Sequence, residues 1–499
     1  MSKRNILSAK DRDFFKLVFR AALSNPFSDE RTELDIQIAE CPHAISLDER
    51  LDCVLEKVKE RVGRLENEGK ADAALYNDED KDMMQAAFIF EIFFLFSKKF
   101  DELIANQIKN GETPCHVPFG KDAISMFLKR GFNIREARRY FAVIYQLKRA
   151  YYFIDEALIG QSPCMEELRR HLWNNVFTYD IKLYAKYLIN RMEDFSTLIL
   201  GETGTGKGTA AAAIGRSGYI PYDPDRIIFK ESFMGSFISI NLSQYSESLI
   251  ESELFGHKKG AFTGAIKQHM GIFSRCSPYG SILLDEIGDV SLPVQLKLLQ
   301  LLQERTFSPV GSHETLRFNG RVIASTNKSL EELRGNGLFR NDFYYRLCSD
   351  CIVVPSLYDR IQQNPNELKL ILTNIIERLT GEKSDELVTL VAESIEKNPG
   401  RQYTWPGNVR ELEQATRRIL LTREYAGDRL FPDTGNREEL ISGINAGSLD
   451  SQQLISKYCA LLYDRYGTYE EVSRRMNLDR RTVKRYRQGN PKPVCNGRF

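Results

Sequence analysis

Gly201-Glu202-Thr203-Gly204-Thr205-Gly206-Lys207-Gly208, followed by Thr209, is a glycine-rich loop that closes on a lysine. Such a loop turns backbone N–H groups toward phosphate oxygens, and a helix starting there adds the positive end of its dipole. Lys207 has the reach to meet the outer phosphates of a nucleotide. The apolar run FSTLIL (195–200) precedes the loop and the alanine-rich TAAAAIG (209–215) follows it. That strand-then-helix context separates a phosphate loop from a mere tight turn. The place after the lysine, usually Ser or Thr, is taken by Gly208, and Thr209 stands one further on.

A second run, SILLDE (281–286), is an apolar strand ending in two acids. Paired carboxylates there suit a group that holds Mg²⁺ by way of a nucleotide, Asp285, and one that polarises water, Glu286. In isolation the same letters describe an ordinary strand running into a solvated turn. A third stretch, HKKGAFTGAIKQ (257–268), sets one aromatic residue between two glycines: Gly260, Ala261, Phe262, Thr263, Gly264, Ala265. An apolar tip on a bent loop either folds back into its own core or waits for a protein partner.

The last such stretch is YGTYEEVSRRMNLDRRTVKRYRQ (466–488), which reads as helix, turn, helix. Val472, Met476, Leu478, Val483 and Tyr486 would make its small core. Asn477 suits the left-handed turn, and Asp479 suits the cap of the second helix. That helix carries Arg480, Arg481, Thr482, Lys484 and Arg485, a cation density fitted to a DNA groove and its phosphates, although a charge run is more often only a solvated face.

The elements around these residues follow from pattern. The 499 residues suggest about three domains, and 42% hydrophobic with 27% charged residues is a globular balance. A net charge of +1 gives no global electrostatic preference, so charge has to be read locally. The longest apolar run, Ala86 to Phe96, is broken by Glu91 and is too short to span a bilayer. The opening residues lack the apolar segment of a secretory signal, and nine scattered cysteines read as reduced thiols, so a cytoplasmic location with no membrane partner is expected. Cys348 and Cys351 form a CxxC without a second pair at zinc-finger spacing.

Residues 1–156 read as mainly helical: apolar residues recur at three and four spacing in LDCVLEKVKERV and QAAFIFEIFFLF. From 157 to 360, strands FSTLIL, SFISINL, GSILLDE and GRVIAST alternate with helical stretches, the signature of an α/β fold with a largely parallel sheet. Residues 361–432 read as a helical lid, 433–448 as a linker, and 449–499 as a small all-α unit. The N-terminal segment does not open with a strand ending in acids, which argues against control by a phosphorylated receiver domain. It reads equally as a binding domain for an unknown ligand or partner and as a structural core.

Residues 157–428 resemble the central AAA+ ATPase domain of bacterial sigma-54-dependent transcription activators. The motifs that carry the resemblance are GETGTGKG as the Walker A loop, ESELFGHKKGAFTGA (251–265) with its GAFTGA hexapeptide, and SILLDEIGD. VIASTN (322–327), FRNDFYYRL (339–347) and WPGNVREL (405–412) complete the set. The C-terminal unit is similar to the Fis-type helix-turn-helix that closes many members. The resemblance implies ATP and Mg²⁺ as cofactors and assembly into a ring, usually a hexamer. The partners it implies are the sigma-54 RNA polymerase holoenzyme at the GAFTGA tip and double-stranded DNA. It implies that Arg340 and Arg346 reach the nucleotide of a neighbouring subunit, that Thr326 and Asn327 sense the γ-phosphate, and that Arg410 couples the lid to the nucleotide. It further implies that Asn241 pairs with Glu286 and ties hydrolysis to loop movement. The chain departs from the family at VPSLYDR (354–360), where only Pro355, Leu357 and Arg360 keep the usual pattern, and at NLSQYSES (241–248), which lacks the usual Cys. Two functions stand against each other: an ATP-driven activator that remodels the closed promoter complex, and a DNA-bound regulator that oligomerises without remodelling. A general AAA+ unfoldase, needing neither the hexapeptide nor the DNA-binding unit, is more distant.

Overall fold

A computed structural model of the chain describes residues 7–41, 46–335, 339–400, 402–425, 427, 440–441 and 443–487. Half of the expected linker, 433–439 and 442, lies outside the described residues, as do the final residues 488–499. The chain forms two compact units, Met1–Ala392 with Thr404–Arg417, and Glu393–Tyr403 with Arg418–Phe499.

The first unit begins with helices α1 (Ala9–Leu23), α2 (Asp29–Ala39), α3 (Leu47–Asn67), α4 (Asp78–Leu95), α5 (Ser97–Asn110), α6 (Gly120–Lys129) and α7 (Ile134–Tyr151). Local grammar starts them: Ser8 accepts from the Asp11 amide at α1, and Asn133 with Glu136 forms a reciprocal capping box at α7. Phe141, Ile144, Tyr145 and Arg149 fall on the buried side of α7 at helical spacing. Then come α8 (Pro163–Phe177), the single turn α9 (Ile181–Leu183), strand β1 (Thr197–Leu200) and α10 (Lys207–Gly215). A short ribbon, β2 (Tyr222–Asp223) with β3 (Ile228–Phe229), leads into β4 (Phe237–Asn241), α11 (Glu247–Phe255) and α12 (Ile272–Arg275). Next are β5 (Ser281–Asp285), α13 (Leu292–Glu304), a second ribbon of β6 (Thr306–Phe307) and β7 (Leu316–Arg317), and β8 (Arg321–Thr326). Helices α14 (Leu330–Gly335) and α15 (Asn341–Leu347) precede β9 (Asp350–Val353). They are followed by α16 (Leu357–Gln363), α17 (Asn366–Thr380), α18 (Asp385–Lys397) and α19 (Asn408–Thr422).

The sheet has five parallel strands in the order β4-β5-β8-β1-β9, the parallel arrangement expected of an AAA+ core. Four of these strands match the apolar runs read from sequence. The fifth, β9, was not among them because it is an edge strand with one fully buried residue, Ile352, and so has no continuous apolar run. The two ribbons escape a pattern reading because each strand has only two residues.

Period-two alternation divides the sheet between two cores. Leu198, Leu200, Ile282, Leu284, Val322 and Ala324 face one side and pack with residues of α11 and α13. Ile199, Leu283, Ile323 and Ile352 face the other, where the alanines of α10 continue into the aromatic interior of the N-terminal helices. Phe141 lies on Tyr222, and Tyr145 stacks on Phe229 with ring centroids 3.8 Å apart. Each such buried ring contributes about 2 kcal/mol through burial alone. The N-terminal helices and the sheet therefore share one interior. Among the described residues no helix is long and apolar enough to cross a membrane.

In the second unit, α20 (Ser451–Tyr466), α21 (Tyr469–Met476) and α22 (Arg480–Arg487) surround Cys459, Leu462, Val472, Val483 and Tyr486. Asn477 is left-handed at φ 50°, which sets the turn between α21 and α22.

Candidate functional site

The parallel register sets the site. Asn241 pairs with Asp285, and Leu200 with Thr326, so the β4, β5, β1 and β8 ends meet along one edge of the sheet. A cavity of about 610 Å³ opens there, where ligands of open α/β sheets collect. It is lined by the loop residues Thr203, Gly204, Thr205, Gly206, Lys207, Gly208 and Thr209, by Asn241, Asp285 and Glu286, and by Arg410. Leu158 and Ile159 on one side and Ile371 and Ile375 of α17 on the other supply apolar walls.

Within the loop, Gly204 and Gly206 are left-handed at φ 83° and 104°, a conformation glycine takes without strain. Lys207 Nζ donates to Gly201 O at 2.8 Å and Glu202 O at 3.1 Å, folding the ammonium over its own loop. Burial lowers its pKa while Glu286 and Asp285 oppose that shift. Burial raises the pKa of Glu286 despite Lys207 nearby, which makes it a stronger base than an exposed carboxylate. Glu286 is also left-handed at φ 55°, a strained conformation of the kind found at functional sites. Asp285 Oδ1 accepts from Ser325 Oγ at 2.6 Å.

Asn241 departs from its expected pairing. Its amide Nδ2 points to Asp285 Oδ2 at 3.5 Å, and its Oδ1 accepts from the Ser243 amide and hydroxyl; Glu286 is bonded instead by the Asn327 backbone. The reason is register, since β4 and β5 lie side by side with Asn241 opposite Asp285.

Asn327 Nδ2 reaches Thr203 Oγ1 at 3.2 Å, whereas Thr326 is buried and accepts from the Lys328 amide. Arg340 and Arg346 stand away from this chain's cavity. Arg340 is exposed and paired with Asp342 at 2.7 Å, while Arg346 donates twice to Leu302 O.

Two residues that the sequence reading did not single out, Asn408 and Glu367, organise the site together with Arg360, which it named only as keeping the usual pattern. Asn408, left-handed at φ 52°, donates to Glu202 Oε2 and Thr203 O and accepts from the Leu357 amide. Glu367, fully buried, takes Arg360 Nε at 2.9 Å and the Gln161 amide at 2.8 Å, while Arg360 Nη2 donates to Ile159 O. This cluster fastens the 158–162 strap beside the cavity to α16 and α17. The Asn-after-Gly turn in WPGNVREL was the available signal for Asn408; Arg360 was marked only as a retained position of the family pattern and Glu367 by nothing, because their pairing is tertiary.

The hexapeptide forms a compact tip. Gly260 N donates to Ala265 O and Ala265 N to Phe262 O, with Gly260 and Gly264 at φ 83° and 101°. Phe262 is 39% exposed and rests its ring 4.9 Å from that of His257. His257 is bonded at both nitrogens, to Ser252 Oγ and Lys267 O, and bridges His269 across the base of the loop. Ile266 and Met270 add exposed apolar surface beside the tip.

In the C-terminal unit, Asp479 caps α22 through the Arg481 and Thr482 amides and takes the Thr482 hydroxyl. Arg480 pairs with Glu470 at 2.6 Å. Arg481, Lys484 and Arg485 are exposed, and Arg487 lies 3.7 Å over the Tyr463 ring. No group of three or more His, Cys, Asp or Glu among the described residues is arranged to hold a metal, Cys348 and Cys351 included.

Residues 180–352 match the family described as the Sigma-54 interaction domain. The transcriptional regulatory protein ZraR of Klebsiella oxytoca is 36% identical over 341 residues, covering 65% of this chain and 67% of that protein. The regulatory protein AtoC of Escherichia coli is 32% identical over 304 residues, covering 61% of this chain and 58% of AtoC. The crystal structure of NtrX from Brucella abortus in complex with ATP aligns at 19% identity and a TM-score of 0.40, covering 75% of this chain and 80% of that one. The chain spans about half the length of several curated relatives, 58%, 46% and 40% of three of them.

Proposed function

This chain belongs to the family of sigma-54-dependent transcriptional regulators, and we propose that it is an ATP-driven activator that binds upstream DNA, assembles into a ring and remodels the closed complex of sigma-54 RNA polymerase into the open one. The observation that carries the reading is the convergence of Lys207, Asp285, Glu286 and Arg410 on one cavity whose phosphate loop starts a helix.

In this reading the loop amides and Lys207 bind the phosphates, and Leu158, Ile159, Ile371 and Ile375 take the base. Asp285, fixed by Ser325, is an oxygen ligand of the hardness Mg²⁺ prefers and would hold the ion with the nucleotide, where it would supply neutralisation of phosphate charge. Glu286, its basicity raised by burial, orients and polarises the attacking water. The exposed Arg340 can exchange Asp342 for a phosphate of a neighbouring subunit, and Arg346 would have to leave Leu302 to do the same. Phe262 and Thr263 offer the tip to sigma-54, and Arg481, Lys484 and Arg485 face DNA.

The test is sigma-54 binding by the full chain with ATP, with ADP and with a γ-phosphate transition-state mimic, beside the rate of ATP hydrolysis. Binding with the mimic that is lost on Phe262→Ala supports the activator. Hydrolysis and DNA binding without sigma-54 binding in any nucleotide state would instead favour the regulator that oligomerises without remodelling.

A further inference from the structure

The far end of the phosphate-loop helix is held by the N-terminal region. Arg149 of α7 is fully buried, yet among the described residues no carboxylate pairs with it. Its Nη1 donates to Arg216 O and its Nη2 to Gly218 O, both at 2.6 Å. Gln146, one turn earlier, donates to Ser217 O at 2.8 Å. Three successive carbonyls just past the C-terminus of α10 are thus all taken by α7. Burying a cation without a counter-ion is costly unless dipoles compensate, and the negative end of a helix is such a dipole. Burial brings the guanidinium pKa down to about 10, which leaves it charged at neutral pH. Its plane also lies over the Tyr145 ring at 4.5 Å.

α10 carries this contact to the nucleotide cavity. It begins at Lys207, and nine residues span roughly 13 Å. It fits against β4 without slack: a Cβ added at Gly215 would stand 2.2 Å from the Phe237 ring. A close-packed helix of this length moves as one body.

We propose that Arg149, supported by Gln146, is a positioning residue for the phosphate loop: fixed on the N-terminal region, it holds the C-terminal end of α10 and thereby sets the placement of Lys207 at the other end. The proposal rests on reading residues 201–209 as the phosphate site of a nucleotide. It gives the N-terminal helices a direct mechanical path to that site within one chain.

The experiment uses the full chain and measures ATP affinity by calorimetry together with the melting temperature. It compares wild type, Arg149→Met, Arg149→Lys, Gln146→Leu, Lys207→Ala and Phe15→Leu, the last a core change on α1 that leaves the bonds from α7 to the end of α10 intact. Arg149→Met is expected to weaken ATP binding about tenfold, as misplacement of a binding group does, with Arg149→Lys recovering most of it. Phe15→Leu is expected to lower the melting temperature without moving the affinity. Wild-type ATP affinity in Arg149→Met overturns the proposal. If that variant does not fold, Gln146→Leu decides: weakened binding supports the proposal and unchanged binding overturns it. Equal, negligible ATP binding by wild type and Lys207→Ala would show instead that the phosphate-site reading itself is wrong, and the proposal falls with it.

Discussion

Asn408 Nδ2 lies 2.9 Å from Glu202 Oε2, so the turn that starts α19 is fastened to the phosphate loop by a charge-assisted hydrogen bond. The same side chain accepts from the Leu357 amide, and the residue is fully buried. Asn408→Ala would orphan the buried Leu357 amide and place a Cβ residue with no side-chain bond in a left-handed turn. A loss of roughly 2–3 kcal/mol in urea unfolding is expected. Asn408→Gly, which tolerates the backbone, should recover part of it; equal losses in the two variants would place the whole effect in the hydrogen bonds.

Glu286 and Lys207 should separate binding from hydrolysis. Glu286→Gln keeps the shape of the cavity and is expected to retain ATP while slowing hydrolysis about 10²- to 10⁴-fold. Lys207→Ala is expected to lose binding itself. Because Glu286 acts as a base when ionised, and its pKa is raised by burial, hydrolysis should decline as pH falls through that raised value. A rate that instead climbs on acidification would remove Glu286 from the role.

A chain cut at Leu158 exposes Tyr222, Phe229 and Phe233, which pack on aromatic residues of the N-terminal helices. It also strips α10 of Arg149 and Gln146. Aggregation on expression is the expected outcome, read by size-exclusion chromatography; a monodisperse, cooperatively melting product would show that the sheet domain stands by itself.

His171 on α8 and Asp350 on β9 meet at 3.1 Å. Hydrogen bonding to Asp350 raises the pKa of His171. Burial pushes Asp350 up, but the bonds from His171 and Asn175 outweigh it and hold the carboxyl low. A raised histidine stabilises below its unfolded value and loses that contribution as pH rises through the folded one. A lowered aspartate stabilises above its unfolded value and loses it as pH falls. The pair therefore contributes most between the two, and the melting-temperature gap between wild type and His171→Gln should be larger near pH 6 than near pH 9. A gap independent of pH would assign the effect to packing.

For the C-terminal unit, Arg481→Ala and Lys484→Ala are each expected to lower the slope of log affinity for duplex DNA against log salt by about one. Arg487→Ala should act differently. Its guanidinium lies on Tyr463 and bonds the Tyr469 hydroxyl, so it should lower the melting temperature of the unit and leave the salt slope unchanged.

The sequence by itself determined the parts whose chemistry is local. A glycine loop between strand and helix, an apolar strand ending in two acids, and Asp479 capping a basic helix each depend on neighbours a few residues away. Their conformations follow from backbone sterics and hydrogen-bond capacity. The structure places Lys207, Asp285 and Glu286 around one cavity because parallel strands end together. What only the tertiary structure decided are contacts between residues far apart in the chain. Asn241 falls beside Asp285 through strand register, and Arg346 is engaged by Leu302. Glu367 meets Arg360 and the 158–162 strap, and Arg149 meets the end of α10. A buried arginine spaced like its apolar neighbours on α7 reads in the sequence as one more charge on a helix. Only the fold reveals that its partners are two carbonyls about seventy residues away, because desolvation and dipole compensation depend on what surrounds a group and not on what precedes it.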